Sequence, residues 1–287
     1  MGGGIKTTKI AEGVMKSASY LDKIIMQKRL EVERLVDEAK IYPEHYLNKI
    51  LSKIYMPGTQ FSASLKGPNL AVIGEVKRRS PTCGEIGRIN DPAELALKYC
   101  QGGASAISVL TDTKSFGGSL CDMNQVKQAL EVHYPNVSVL RKDFILHPLQ
   151  LAEAVYAGAH AVLLIVHVVG KNLKFLIQEA SRLGLEVLTE VHDLSDLEIA
   201  LEAEAPIIGI NHRNLTTFEI DLGVSEFLQP LIPPHIITVA ESGIRQPIQA
   251  KHMRELGFDA ILVGEALVRS EDPSMLIKLM QGDENES

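Results

Sequence analysis

From Leu70 onward, short apolar runs alternate with longer amphipathic segments. The runs cover residues 71–76, 106–110, 137–140, 161–166, 186–189, 207–210, 236–240 and 260–263. They are rich in Val, Ile, Leu and Ala, the make-up of strands buried on both faces. Between and after them, residues 92–101, 123–133, 148–157, 173–183, 194–203, 224–231, 247–256 and 273–280 carry apolar positions at helical spacing. Gly158, Gly184 and Gly257 stand where helices should end. Gly103-Ala104-Ser105-Ala106, Gly158-Ala159-His160-Ala161 and Gly257-Phe258-Asp259-Ala260 repeat one turn ahead of three strands, as a reused strand–helix unit would. Eight such units predict an α/β fold, a closed (β/α)8 barrel. The competing doubly wound open sheet lacks its GxGxxG dinucleotide loop here.

Residues 1–69 follow a different pattern. Leu21, Ile24, Ile25, Met26, Leu30, Val32 and Leu35 recur at helical spacing among many charges, Pro43 interrupts, and a second short helix is expected toward Ile54. The chain therefore divides into an N-terminal helical extension (1–69), a catalytic barrel (70–281) and an acidic, solvated tail (282–287).

Composition narrows the function classes. With 287 residues, 45% hydrophobic and 23% charged, the chain can bury a large core without disulfide or metal staples. A formal net charge of −7 and the lack of any Lys/Arg-rich patch argue against a nucleic-acid surface. The longest apolar run, 161–166, is far too short to cross a bilayer. Cys83, Cys100 and Cys121 are widely spaced, and no CxxC, HxxxH or HExxH pattern occurs, so neither a zinc site nor a disulfide framework is expected. Met1-Gly2-Gly3-Gly4 carries no signal-peptide core. The expected location is the cytoplasm, or a plastid if Gly2 onward is the mature end left by a transit segment. A monomer or weak homodimer is expected.

In this fold, functional groups come from the C-terminal ends of the strands and the loops after them. Period-two alternation sends Glu75 and Lys77 together into the barrel mouth. The second run leads into Thr111-Asp112-Thr113-Lys114-Ser115-Phe116-Gly117-Gly118-Ser119, and the third into Arg141-Lys142-Asp143. Later runs end in Glu190, in Asn211-His212-Arg213-Asn214, in Glu241-Ser242-Gly243 and in Gly264-Glu265. Charges of both signs at so many strand ends have no packing reason, because a buried charge costs several kcal/mol unless paired. Ser242-Gly243 and Gly264 follow the seventh and eighth runs, whose loops commonly bind phosphate in this fold. His192 and His212 read as hydrogen-bonded rim residues rather than catalysts.

Gly74-Glu75-Val76-Lys77-Arg78-Arg79-Ser80-Pro81 resembles the first-strand signature of the indole-3-glycerol-phosphate synthase family. The resemblance continues through Ser108-Val109-Leu110-Thr111-Asp112, Phe116-Gly117-Gly118-Ser119, Leu140-Arg141-Lys142-Asp143-Phe144, Glu190-Val191-His192-Asp193, Gly209-Ile210-Asn211-His212-Arg213-Asn214-Leu215, Glu241-Ser242-Gly243-Ile244 and Val263-Gly264. It spans the barrel in order and extends to the N-terminal helices. The resemblance implies a carboxy-lyase of tryptophan biosynthesis. Such an enzyme closes the indole ring of 1-(2-carboxyphenylamino)-1-deoxyribulose 5-phosphate with loss of carbon dioxide and water. No cofactor is implied, so acid–base groups and electrostatics carry the chemistry. The implied general acid is Lys114 and the implied general base Glu190. Lys77 holds the anthranilate carboxylate or acts as a second acid, while Glu75 and Asn211 position these groups and the substrate hydroxyls. Ser80, Phe116, Arg213, Glu241, Ser242, Gly243 and Gly264 are the implied substrate and phosphate contacts. The implied extension lies over the barrel mouth.

Two other readings compete. A phosphosugar barrel such as phosphoribosylanthranilate isomerase would need an Asp/Cys acid–base pair, where these strands end in Glu75, Lys77 and Glu190. A non-catalytic phosphometabolite-binding barrel would not need this whole set of charged groups.

Overall fold

The computed structural model describes residues 19–81, 83–215 and 217–282. The acidic tail from residue 283 and the chain before Ser19 lie outside the described residues. Eight parallel strands close on themselves in sequential order: β1 (Ala71–Val76), β2 (Ala106–Leu110), β3 (Ser138–Lys142), β4 (Ala161–Ile165), β5 (Glu186–Val191), β6 (Ile207–Asn211), β7 (Ile237–Glu241) and β8 (Ala260–Val263). The barrel closes through the pairing of Ala71 with Ala260 and Gly74 with Val263. Every expected strand is present. β3 and β5 each run two residues further than the apolar pattern suggested, to Lys142 and Val191.

Alternation sorts the core into two shells. Ala71 and Ile73 of β1, Leu140 of β3, Leu163 and Ile165 of β4, Leu188 of β5, Val239 of β7 and Leu262 of β8 fill the barrel interior. Val72, Val139, Val162, Val187, Ile208, Ala240 and Ile261 face outward to the helices. The same period carried past the apolar residues brings Glu75, Lys142, Glu190, Asn211 and Glu241 to one end of the barrel, all lining one cleft. Gly74 faces outward, where a Cβ would press into the ring of buried Tyr99 on the helix Pro92–Gln101.

The N-terminal extension wraps the barrel from top to bottom. Its first helix, α1 (Tyr20–Ile41), is longer than the expected stripe and begins with a capping box in which Ser19 and Asp22 bond reciprocally. α2 (Tyr46–Leu51) packs beside the helix Pro148–Tyr156, with Leu47 and Ala39 against Leu149 and Ala152. A third helix, α3 (Gln60–Leu65), plugs the bottom: Phe61 and Leu65 are fully buried with the barrel-interior residues. Its N-terminus has no side-chain cap of its own. The Glu186 carboxylate at the start of β5 accepts from the Phe61 and Ser62 amides instead, at 2.6 and 3.1 Å.

A buried ion cluster fastens α1 across the top. Lys28 Nζ lies 3.0 Å from Asp112 Oδ2 and 2.9 Å from Asp143 Oδ1, in the loops after β2 and β3. Arg141 Nη2 meets the other Asp143 oxygen at 3.1 Å. Burial alone would raise the Asp143 carboxyl, but Arg141 and Lys28 outweigh it and hold the group at about 2. A depressed folded-state value means that this carboxylate's contribution to stability is complete above the unfolded value of about 3.9. It is lost as the pH falls from there toward the folded value. Replacing Lys28 with Met should lower the urea-unfolding free energy at neutral pH by about 3 kcal/mol, because two carboxylates lose a buried partner. A loss below about 1 kcal/mol, the range of an exposed pair, would show the cluster to be dispensable.

Candidate active site

The cleft opens at the C-terminal ends of the strands, under the first turns of α1. Leu21 and Ile24 of α1 form part of its roof, and Leu110, Phe116, Phe144, Leu163, Ile165, Leu215 and Phe218 line an apolar wall. Tyr20 meets Phe218 edge-on at 5.5 Å, which ties the roof to the loop after β6. Charged and polar groups occupy the floor.

At its centre stands Lys142, whose Nζ lies 3.1 Å from Glu190 Oε2 and 2.9 Å from Glu241 Oε2. Burial alone would strip the proton from this ammonium. The Glu241, Glu190 and Glu75 charges reverse that and hold it well above the ordinary lysine value. Glu190 is also buried, yet Lys142 and His192 keep its carboxyl well below the usual carboxylate range, and the Asn211 side chain adds a hydrogen bond. Burial and the Glu190 charge push Glu241 the other way, up to about 7, against the pull of Lys142. Two carboxylates sharing one cation are thus shifted in opposite directions, Glu190 held ionised and Glu241 raised out of the usual carboxylate range. Gly209 on β6 makes this packing possible, since a Cβ there would collide with the Glu241 carboxylate.

Lys77 Nζ contacts Glu75 Oε1 at 2.5 Å. Gly264 lies beside this pair at the end of the neighbouring strand β8, with its missing Cβ on the Glu75 carboxylate and 3.2 Å from Lys77 Nζ. Asn211 Oδ1 accepts from the Arg213 amide at 3.0 Å. After β1 the chain turns through a short antiparallel pair, Arg79–Ser80 with Gly84–Glu85, which brings Ser80 and Pro81 to the rim. Arg78 anchors that turn with a two-pronged ion pair to Asp122 at 2.6 and 2.9 Å.

The loop after β7 is held open in a left-handed conformation, with φ of 66° at Ser242 and 78° at Gly243. His212 supports it from below. Its Nδ1 lies 2.7 Å from the Ser242 carbonyl oxygen, and Nε2 faces the Ser225 hydroxyl. A carbonyl only accepts, so Nδ1 carries the hydrogen and Ser225 donates to Nε2 of a neutral ring. Burial lowers the His212 value in agreement. Glu265 at the β8 end is matched by Arg269 at 3.2 Å and Arg245 at 3.7 Å, so its charge is offset within the same loops.

Glu75, Lys77, Ser80, Phe116, Glu190, Asn211, Arg213, Glu241, Ser242, Gly243 and Gly264 all line this one cleft. Lys114 does not. It is exposed on the short helix Thr113–Phe116, outside the mouth, where its backbone carbonyl accepts from Arg79. This placement does not fit the expectation of Lys114 as general acid. The ammonium at the centre of the floor is Lys142, which alternation from inward-facing Leu140 would have revealed had β3 been extended by two residues. Arg245 also lines the cleft without having been expected there, and Leu21 and Ile24 line it from the extension that the resemblance placed over the barrel mouth. Among the described residues, no His/Cys/Asp/Glu group has metal-holding geometry, and no helix is long and apolar enough to cross a membrane.

Comparison with known proteins gives this arrangement a family. Solved structures share the fold at low identity. 3-Hexulose-6-phosphate synthase from Salmonella typhimurium superposes with a TM-score of 0.58 at 15% identity, covering 74% of this chain and 97% of that one. Thiamine phosphate pyrophosphorylase from Pyrococcus furiosus gives 0.55 at 17%, covering 74% and 94%. Sequence relatives are nearer. Indole-3-glycerol phosphate synthase 1 of Streptomyces coelicolor is 46% identical over 222 residues, 77% of this chain and 81% of its own. The indole-3-glycerol phosphate synthase of Dehalococcoides mccartyi is 42% identical over 253 residues, 88% and 96% of the two chains. The sequence profile of the indole-3-glycerol phosphate synthase family matches residues 21–280, from the roof helix to the last helix of the barrel. The chain belongs to the indole-3-glycerol phosphate synthase family.

Proposed function

We propose that this chain converts 1-(2-carboxyphenylamino)-1-deoxyribulose 5-phosphate to indole-3-glycerol phosphate, carbon dioxide and water, by acid–base catalysis in the cleft. The observation that carries the reading is the Lys142 ammonium set between Glu190 and Glu241 beneath an apolar roof. The aromatic ring of the substrate fits between the Leu21, Ile24 and Phe116 side of the cleft and the floor, and its phosphate fits the Ser242-Gly243 and Gly264 loops.

Lys142 directs its proton at the ketose oxygen. As the ring carbon bearing the carboxylate attacks the ketose carbon, that oxygen becomes an alkoxide, a stronger base than an amine, and takes the proton. Lys77 faces the anthranilate carboxylate until it leaves as carbon dioxide and the bonding pair returns to the ring. Lys77, released from the carboxylate, then gives a proton to the hydroxyl, which departs as water while Glu190 removes a proton from the adjacent ring carbon; the double bond so formed completes the indole. Glu75 and Asn211 hold these groups in place: Glu75 by its contact with Lys77, Asn211 by its hydrogen bond to Glu190. Arg213 and Ser80 frame the substrate from the rim. The bacterial sources of the relatives support a cytoplasmic setting.

Mixing protein and substrate while following indole fluorescence tests the reading directly; no fluorescent product at micromolar enzyme would refute it. Lys142→Ala should cut turnover by about 10²–10⁴, the usual contribution of a general acid, while Lys114→Ala should keep more than about a tenth of it. The reverse ranking in steady-state kinetics would restore Lys114 to the site. Ile24→Ala should raise KM by about tenfold, since an unfilled apolar contact is worth roughly 1.5 kcal/mol or more. An unchanged KM, with melting temperature lowered instead, would reduce α1 to a stabilising strap.

A further inference from the structure

Behind Glu190 lies a charged array that no step above uses. His192 follows β5 directly and does not line the cleft. Its Nε2 lies 3.2 Å from Glu190 Oε1, and its Nδ1 lies 3.4 Å from Asp196 Oδ2. Asp196, in the first turn of the helix Leu194–Glu202, is buried and held in place. It accepts from the His192 backbone amide at 3.1 Å, and its own amide donates to the N-cap residue Asp193 at 2.9 Å. Neither ring N–H of His192 points squarely at a carboxylate oxygen, so attraction between charges, rather than a directed hydrogen bond, ties the array together.

Glu190 therefore has a cation on each side, Lys142 toward the cleft on one oxygen and His192 behind on the other. The charged groups facing His192 are Glu190 from β5 and Asp196 from the following helix; Lys142 stands beyond Glu190, with Glu241 and Glu75 past it. The two cations have different fates in the reaction. Once Lys142 gives its proton to the ketose oxygen, its charge is gone, and Glu190 and Glu241 remain buried together while Glu75 keeps Lys77. Burial and the Glu241 charge would then favour the neutral form of Glu190, which cannot act as base.

We infer that the His192–Asp196 pair is a positioning device for Glu190, a fixed positive charge that keeps the carboxylate ionised while Lys142 is discharged. The inference rests on the proposed reaction, in which Glu190 is the base. Burial alone would favour a neutral imidazole, but Asp196 and Glu190 hold His192 at about 9, so it stays charged through the neutral range.

Removing a positive neighbour raises a carboxyl's pKa. The acid limb of the kcat–pH profile should therefore move upward by about one unit in His192→Asn, with the loss of turnover greatest on the acid side and KM little changed. His192→Lys, which retains the charge, should return the limb toward wild type. Asp196→Asn, which keeps an acceptor for the His192 amide, should move the limb the same way as His192→Asn by a smaller amount. A merely structural role would lower kcat alike at every pH and leave the limb where it was, which would overturn the inference. A second readout does not depend on turnover. In the resting protein, nitrogen NMR should show the His192 ring still protonated at pH 7.5, and Glu190→Gln should lower its titration point. A neutral ring at that pH would overturn the inference even if the enzyme is active. Absence of indole product from the wild-type protein would instead refute the proposed reaction, leaving the NMR titration to decide on the array.

Discussion

One buried ammonium organises the barrel mouth. Lys142 reaches the centre of the floor because Glu190 and Glu241 meet it there, and those carboxylates tolerate burial only because Lys142 lies between them. Remove any one and the others are left charged in a medium that penalises isolated charge. The rest of the floor follows from this arrangement. Gly209 leaves room for Glu241, and Asn211 and His192 secure Glu190. The Glu75–Lys77 pair adds a second cation at the end of β1, with Gly264 packed against it. The floor is thus pre-set for chemistry that develops charge on an oxygen, and it needs little rearrangement to meet it.

The roof is built by a second charged cluster. Lys28 could not be buried on α1 without Asp112 and Asp143, and with them it sets the helix at the position where Leu21 and Ile24 close over the floor. Asp143 is adjacent in sequence to Lys142, and alternation sends the two side chains to different tasks, one to the roof clamp and one to the floor. Roof and floor are therefore coupled through the end of β3. Water exclusion over the floor strengthens every electrostatic contact below it.

The phosphate side depends on backbone rather than on charge. Ser242 adopts a left-handed conformation that a serine would not take unaided, and His212 stabilises it by donating to the Ser242 carbonyl. Burial keeps that histidine neutral, so its support does not vary across the neutral range. The two histidines near strand ends thus do opposite work: His212 as a neutral prop, His192 as a buried charge.

The sequence by itself determined the architecture and most of the cleft. Alternation of short apolar runs with amphipathic segments is a direct consequence of strands buried on both faces and helices buried on one, so eight units could be counted without coordinates. Period two placed Glu75 and Lys77 on one face, and strand-end position marked Glu190, Asn211 and Glu241. What it could not supply was the identity of the central lysine. Arg141 and Lys142 end the apolar run, so β3 reads as stopping at Leu140. The strand continues because carboxylates 48 and 99 residues further along the chain neutralise Lys142. Exposed Lys114, in a loop of matching motif, was locally as good a candidate. The bottom plug α3 was hidden for the same reason, since its cap is a carboxylate 125 residues away. Local periodicity follows from which side of an element meets the core and is written into neighbouring residues. Whether a charge can be buried depends on partners brought together only when the barrel closes, and that the tertiary structure alone decided.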